Sequence, residues 1–86
     1  MEITKKITTE FFDLVNSGKK KFEIRLGDWE CKEGDILILK EWNEEKKAYT
    51  GREIKKKVTY VFNTKDVKFF DKKEVDKYGF NIISIE

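Results

Sequence analysis

Gly18-Lys19-Lys20-Lys21-Phe22-Glu23-Ile24-Arg25 is the stretch where a helical pattern ends at a glycine and a strictly alternating one begins. Phe22 and Ile24 fall on one side of a strand, and Lys21, Glu23 and Arg25 on the other. One short, rigid element therefore presents an ammonium, a carboxylate and a guanidinium together. Glu23 and Arg25, two apart on one strand face, are spaced for a lateral ion pair, which if exposed contributes only ~0–1 kcal/mol.

Upstream, Phe11, Leu14 and Val15 recur at helical spacing, giving an apolar stripe over about two turns. Thr8 or Thr9 is placed to cap that helix, Glu10 puts negative charge in its first turn, and Gly18 suits a left-handed terminator. Before it, Met1 to Ile7 reads as a short first strand with Ile3 and Ile7 as its apolar points.

Downstream, the strand Lys20 to Leu26 closes at Gly27-Asp28, a strong turn signal. Ile36-Leu37-Ile38-Leu39 is a short aliphatic run that predicts a strand buried on both faces at its start and alternating by Lys40-Glu41-Trp42. A polar loop from Asn43 to Gly51 then leads to Arg52–Phe62, with Ile54, Val58, Tyr60 and Phe62 expected on one face and Lys56 marking a bulge or a strand end. A short helix is expected around Phe69 to Tyr78, and Phe80 to Ile85 predicts a closing strand. Five strands, one firm helix, no proline and no βαβ rhythm predict a mainly β (α+β) fold: a small, mostly antiparallel barrel with helices at its openings.

The 86 residues predict a single domain, residues 1–86, burying about 60–65% of the surface its unfolded chain exposes. With 42% charged and 38% hydrophobic residues, seven Phe, three Tyr and two Trp predict an aromatic-rich core under a charged shell. The net charge of +2 carries no nucleic-acid argument by itself; clustering does, and Lys19-Lys20-Lys21 and Lys55-Lys56-Lys57 are the clusters. A solvated face is the plain alternative for both. One cysteine, Cys31, and no histidine exclude an internal disulfide framework and the usual zinc sets, so no metal or cofactor is expected. Without a membrane-length apolar run or a signal-peptide pattern, the expectation is a cytoplasmic protein.

Taken as Gly18-x-Lys20-x-x-Glu23-x-Arg25, the opening stretch resembles the signature of the ASCH domains, small relatives of the RNA-binding PUA fold. The longer run Ser17–Arg25, followed by Gly34-Asp35-Ile36-Leu37, is similar more narrowly to the DUF3850 branch. The likeness continues through Glu10-Phe11-Phe12-Asp13, Tyr49-Thr50-Gly51-Arg52, Val58-Thr59-Tyr60 and Gly79-Phe80 with Ile82-Ile83-Ser84-Ile85. It implies a PUA-like pseudobarrel of five to six strands with a cleft beside the motif, facing RNA, single-stranded nucleic acid or a modified nucleoside. Some ASCH proteins are enzymes; one group deacetylates N4-acetylcytidine with a lysine, a threonine and a glutamate. Lys20 matches that lysine, Glu23 stands at the threonine position, and Ile3 replaces a histidine common in the branch. These departures weaken an enzymatic reading.

Lys20 is a phosphate-binding charge or, desolvated, a base; Glu23 would accept from a base amino group or act in acid–base chemistry, and Arg25 would hold a phosphate or orient Glu23. Lys21 joins them as a ligand-binding candidate. Trp29 is a stacking platform or a core residue, with Trp42 and Tyr49 weaker candidates of the same kind. Lys19, Lys55 and Lys57 are candidates for the nucleic-acid backbone. Three readings stay open: an RNA- or nucleotide-binding domain, a small hydrolase of a modified nucleoside or RNA using Lys20 and Glu23, and a protein-interaction or phage-type accessory module whose motif is structural.

Overall fold

The helix α1 (Thr9–Asn16) turns into the motif strand through Gly18, whose φ of +83° is left-handed, as its sequence position requires. In the computed structural model, described for residues 1–67, 71–73 and 76–86, the strands are β1 (Glu2–Thr8), β2 (Phe22–Leu26), β3 (Ile36–Asn43), β4 (Ala48–Asn63) and β5 (Phe80–Ile85). A single 3-10 turn, Thr64–Asp66, follows β4. The expected helix around Phe69 to Tyr78 lies largely outside the described residues; at 71–73 and 76–78 the chain is turn or irregular. No helix of the described residues is long and apolar enough to cross a membrane.

The five strands form one sheet in the order β1-β3-β4-β5-β2. Every pairing is antiparallel except β1 with β3, which is parallel. The sheet is therefore mixed and mostly antiparallel, as expected, but it is not a closed barrel: β1 and β2 are its two edges and do not pair. β4 holds the halves together, pairing with β3 over Ala48–Lys57 and with β5 over Val58–Asn63.

Two register shifts reset the alternation of β4. One lies between Val58 and Tyr60, where two steps on β4 match one on β5. The bulge is thus at Thr59 rather than Lys56, and it reverses the faces: Val58 is fully buried and Val61 packs on the core, while Tyr60 is exposed. The single-face expectation for Ile54, Val58, Tyr60 and Phe62 fails for this reason. The second shift, opposite Lys40/Trp42, falls at Thr50–Arg52.

The expected nine-residue loop from Asn43 to Gly51 shrinks to the turn Glu44–Lys47. Asn43 Oδ1 accepts from the Lys46 backbone N–H at 2.9 Å, and Lys47 turns left-handed. Beyond the turn the strands continue as a hairpin, its aromatic pair Trp42 and Tyr49 packed edge to face at 5.0 Å.

The core is aliphatic, contrary to the aromatic-rich interior expected. Leu37 and Leu39 from β3, Val58 from β4, and Ile83 and Ile85 from β5 surround Val15 of α1, with Phe12 the aromatic member of the cluster. Six of the aromatic residues, Phe11, Phe22, Tyr49, Tyr60, Tyr78 and Phe80, stand exposed instead, so the interior is left to the aliphatic side chains. On the opposite, outer face the register sets Phe22 beside Ser84 and Tyr60, Ile24 beside Ile82 and Phe62, and Leu26 beside Phe80.

Candidate functional site in the open seam of the sheet

The inward direction on β2 is set by β5. Ile83 and Ile85 are core residues, so the β2 residue paired with Ile83, which is Glu23, must also face inward. The charged side of the motif is consequently the inner one: Glu23 is 3% exposed, whereas Phe22, Ile24 and Leu26 stand out toward solvent. The exposed ion pair expected from spacing is instead a buried carboxylate held by two cations.

Lys20 is tied down first. Its backbone N–H donates to the Leu14 carbonyl at 3.0 Å, wrapping the chain back over the end of α1. From there Lys20 Nζ donates to Glu23 Oε1 and to the Phe22 carbonyl, both at 2.8 Å. Arg25 donates Nε and Nη2 to Glu23 Oε2 at 2.9 and 2.7 Å. A carboxylate this buried persists because both of its oxygens are met by charged donors.

This triad lies in a cleft of about 440 Å³ at the seam where β1 fails to meet β2. Lys6, Ile7 and Thr8 of β1 line one side, Phe22 to Arg25 of β2 the other, with Phe11 of α1 and Lys20 between them. Lys20 Nζ is 4.8 Å from the Phe22 ring and 5.3 Å from the Phe11 ring. The cleft thus combines aromatic walls with a polar end. After the bonds among the described residues are counted, Lys20 and Arg25 retain further N–H groups and Glu23 Oε1 one further acceptor position.

The other candidates are dispersed. Lys19 is exposed at the helix–strand junction, and Lys21 borders a smaller neighbouring groove with Lys20, Lys56 and Glu86. Trp29 packs partly against the core with Lys5 Nζ 4.0 Å from its ring, and it lines a separate pocket with Cys31, Asp35, Asn63 and Asn81. Burial and the nearby Asp35 push the Cys31 thiol upward. Lys55, 3.8 Å from Glu2, and Lys57 are exposed on β4, and neither lines the cleft.

Sequence reasoning missed a second buried carboxylate. Glu41 accepts from Thr50 Oγ1 and from Arg52 Nε and Nη2, the latter two at 2.7 and 2.9 Å; Arg52 Nη2 also reaches Asp13 on α1 at 3.0 Å. The bulge at Thr50–Arg52, with Gly51 at φ +95°, turns both neighbours of the glycine toward Glu41. The Arg52 and Thr50 hydrogen bonds hold the Glu41 carboxyl down at about 2, and the hydrogen bonds to Glu41 and Asp13 raise Arg52 further. Through Arg52, which reaches both Glu41 and Asp13, this cluster fastens α1 to the β3–β4 hairpin. The signal was Tyr49-Thr50-Gly51-Arg52, noted as family likeness without a role. Phe11, expected in the inward stripe with Leu14 and Val15, is instead exposed and walls the cleft, and Phe12 takes the core position beside Val15; adjacent helical residues diverge by ~100°, so both could not face the core.

Residues 4–78 match the family described as a domain of unknown function, DUF3850. The chain belongs to the DUF3850 family. Among the relatives of this DUF3850 domain is a protein of Escherichia phage P2, described as an uncharacterized 12.9 kDa protein in the GpA 3' region. It is 39% identical over 61 residues, which are 71% of this chain and 54% of the phage protein, so the match spans about half of that relative's length. The crystal structure of hypothetical protein PH0355 superposes with a TM-score of 0.69 at 26% identity, over all of the DUF3850 chain and 98% of the other.

Proposed function

We propose that this DUF3850 domain is a PUA-like, ASCH-type module that takes an unpaired base of RNA, or a free nucleoside, into the cleft between β1 and β2. The observation that carries this reading is Glu23, a buried carboxylate with one acceptor position left, set between two cations and flanked by aromatic rings. A planar base suits the apolar walls, its amino group suits the Glu23 acceptor, and Lys20 and Arg25 have N–H groups left for ring acceptors or a phosphate. The volume accommodates one nucleoside rather than a duplex.

An amide-shift titration with a short mixed-sequence RNA, cytidine and N4-acetylcytidine tests this. Shifts are expected at Lys6 to Thr8, Phe11 and Lys20 to Arg25. Absence of shifts at low salt with all three would overturn the reading and favour an accessory protein-interaction role.

A hydrolytic second reading draws on one contact, the 2.8 Å hydrogen bond between Lys20 Nζ and Glu23 Oε1 inside the cleft. There Lys20 would serve as base and Glu23 as the residue that orients it. It requires turnover of N4-acetylcytidine or RNA that vanishes in a folded Lys20→Ala variant.

A further inference from the structure

We infer that the outer face of β2, β5 and β4 is the surface on which two copies of this chain associate, packing sheet against sheet about a twofold axis near Ile24 and Ile82. Glu23 points to the other side of the sheet, and the face meets the cleft only along β2, where Phe22 and Ile24 also line it.

Six large side chains on it, Phe22, Ile24, Leu26, Tyr60, Phe80 and Ile82, are each 37–57% exposed. The strand register makes them one patch in three cross-strand rows, completed by Ser84 and Phe62. In a chain whose residues are 42% charged, none of these positions carries a charge. An uncharged area of this kind has no means of holding phosphates, which sets it apart from a nucleic-acid surface. Scattered exposed apolar residues are ordinary, but a contiguous sheet face is a docking surface.

The area indicates which partner fits. Taking a whole aromatic side chain as about 150–250 Å², the exposed parts of the six offer on the order of 500 Å² per copy. A twofold pairing would then bury about 1,000 Å² in total, the lower limit for a specific interface. The same patch on a second copy supplies matching extent and chemistry without any charge to desolvate, and closed twofold pairing is the commonest outcome of a self-complementary surface. Two such outer faces stacked in this way would resemble a sandwich core.

Sedimentation of the whole chain from about 1 μM to 1 mM tests this, because an interface of this size associates weakly. The average mass is expected to rise from one copy toward two, with concentration-dependent amide shifts at Tyr60 and Phe80 to Ile82. Ile82→Lys, and independently Phe80→Lys at the strand end in case the first fails to fold, should each abolish the rise at unchanged circular dichroism. A monomer across the whole range overturns the inference, as does association that survives both variants. Oligonucleotide-induced shifts at Tyr60 and Phe80 to Ile82, away from the cleft, in place of self-association would also overturn it.

Discussion

Arg25 reaches back along its own strand to place both Nε and Nη2 on a single oxygen of Glu23, leaving the other oxygen to Lys20. The two cations are thus not interchangeable. Arg25 satisfies the inner half of the carboxylate, and Lys20 links it to the end of α1 and the cleft.

Arg25→Ala should destabilise the domain by about 1–3 kcal/mol, the usual cost of depriving a buried charged acceptor of its donors. At ~4–8 °C per kcal/mol for a domain of this size, the loss is visible as a melting shift. A drop below ~1 kcal/mol in urea unfolding would return Glu23 and Arg25 to the status of an ordinary surface pair.

Acid sensitivity should centre on Glu41. Its folded-state value, about 2, lies below the ordinary glutamate value of 4.5, so its contribution is fully present above about pH 5 and is lost as pH falls toward 2. Melting temperature measured from pH 6 to pH 2 should fall on the acid side, and Glu41→Gln should flatten that limb while lowering the plateau. An unaltered acid limb would remove Glu41 from the explanation.

Gly51→Ala forces a side chain onto a left-handed backbone with open space around it, so the cost is conformational rather than steric. A loss of about 1–2 kcal/mol is expected, with amide shifts at Thr50, Arg52 and Glu41 as the bulge relaxes. Retention of those shifts at their native positions would mean that Thr50 and Arg52 do not depend on the turn.

Phe11 and Phe12 should separate stability from binding. Phe12→Ala empties the core and should cost about 3–5 kcal/mol, a large part of the stability of a small domain. Phe11→Ala should cost under ~1 kcal/mol and weaken base binding in the cleft. Equal effects of the two on melting would contradict the assignment of Phe11 to the cleft wall.

Oligonucleotide affinity should fall with added salt, and Lys20→Ala should weaken it at least tenfold, roughly 1.4 kcal/mol or more. Lys55→Ala and Lys57→Ala, whose side chains do not line the cleft, should leave it within about twofold. A stronger effect of the β4 lysines would shift the nucleic-acid path to the outer surface.

The sequence was most informative where one physical requirement admitted one solution. Gly18 had to end α1, the aliphatic run at Ile36 had to be a buried strand, and Phe80 to Ile85 had to pair. Alternation set Lys21 beside Glu23 and Arg25 and only the family resemblance pointed to Lys20, whereas the pairing of Glu23 with Arg25 was legible from spacing. Their direction was not, because β2 is apolar on one side and charged on the other, and the usual rule sends charge outward. The choice is made by Ile83, a residue 60 positions away from Glu23, through strand register. Bulges were equally opaque: the extra residue at Thr59 reverses the faces of β4 without disturbing its composition. Trp29 followed the motif in sequence, but the turn at Gly27-Asp28 carries it to another pocket.

The pairing of β2 with β5 also governs how the protein must be made. Leu26 and Phe80 are separated by residues 27 to 79, and among the described residues β2 has no other strand partner. During synthesis the motif strand emerges before its partner and waits, unpaired and bearing Phe22 and Ile24, until residues 27 to 79 and then β5 have followed. Closing so long a loop is slow, and a waiting apolar edge is open to mispairing. The rate at which functional protein accumulates therefore depends on the final strand, and a chain cut short before Phe80 would carry every residue of the motif without the strand that orients it.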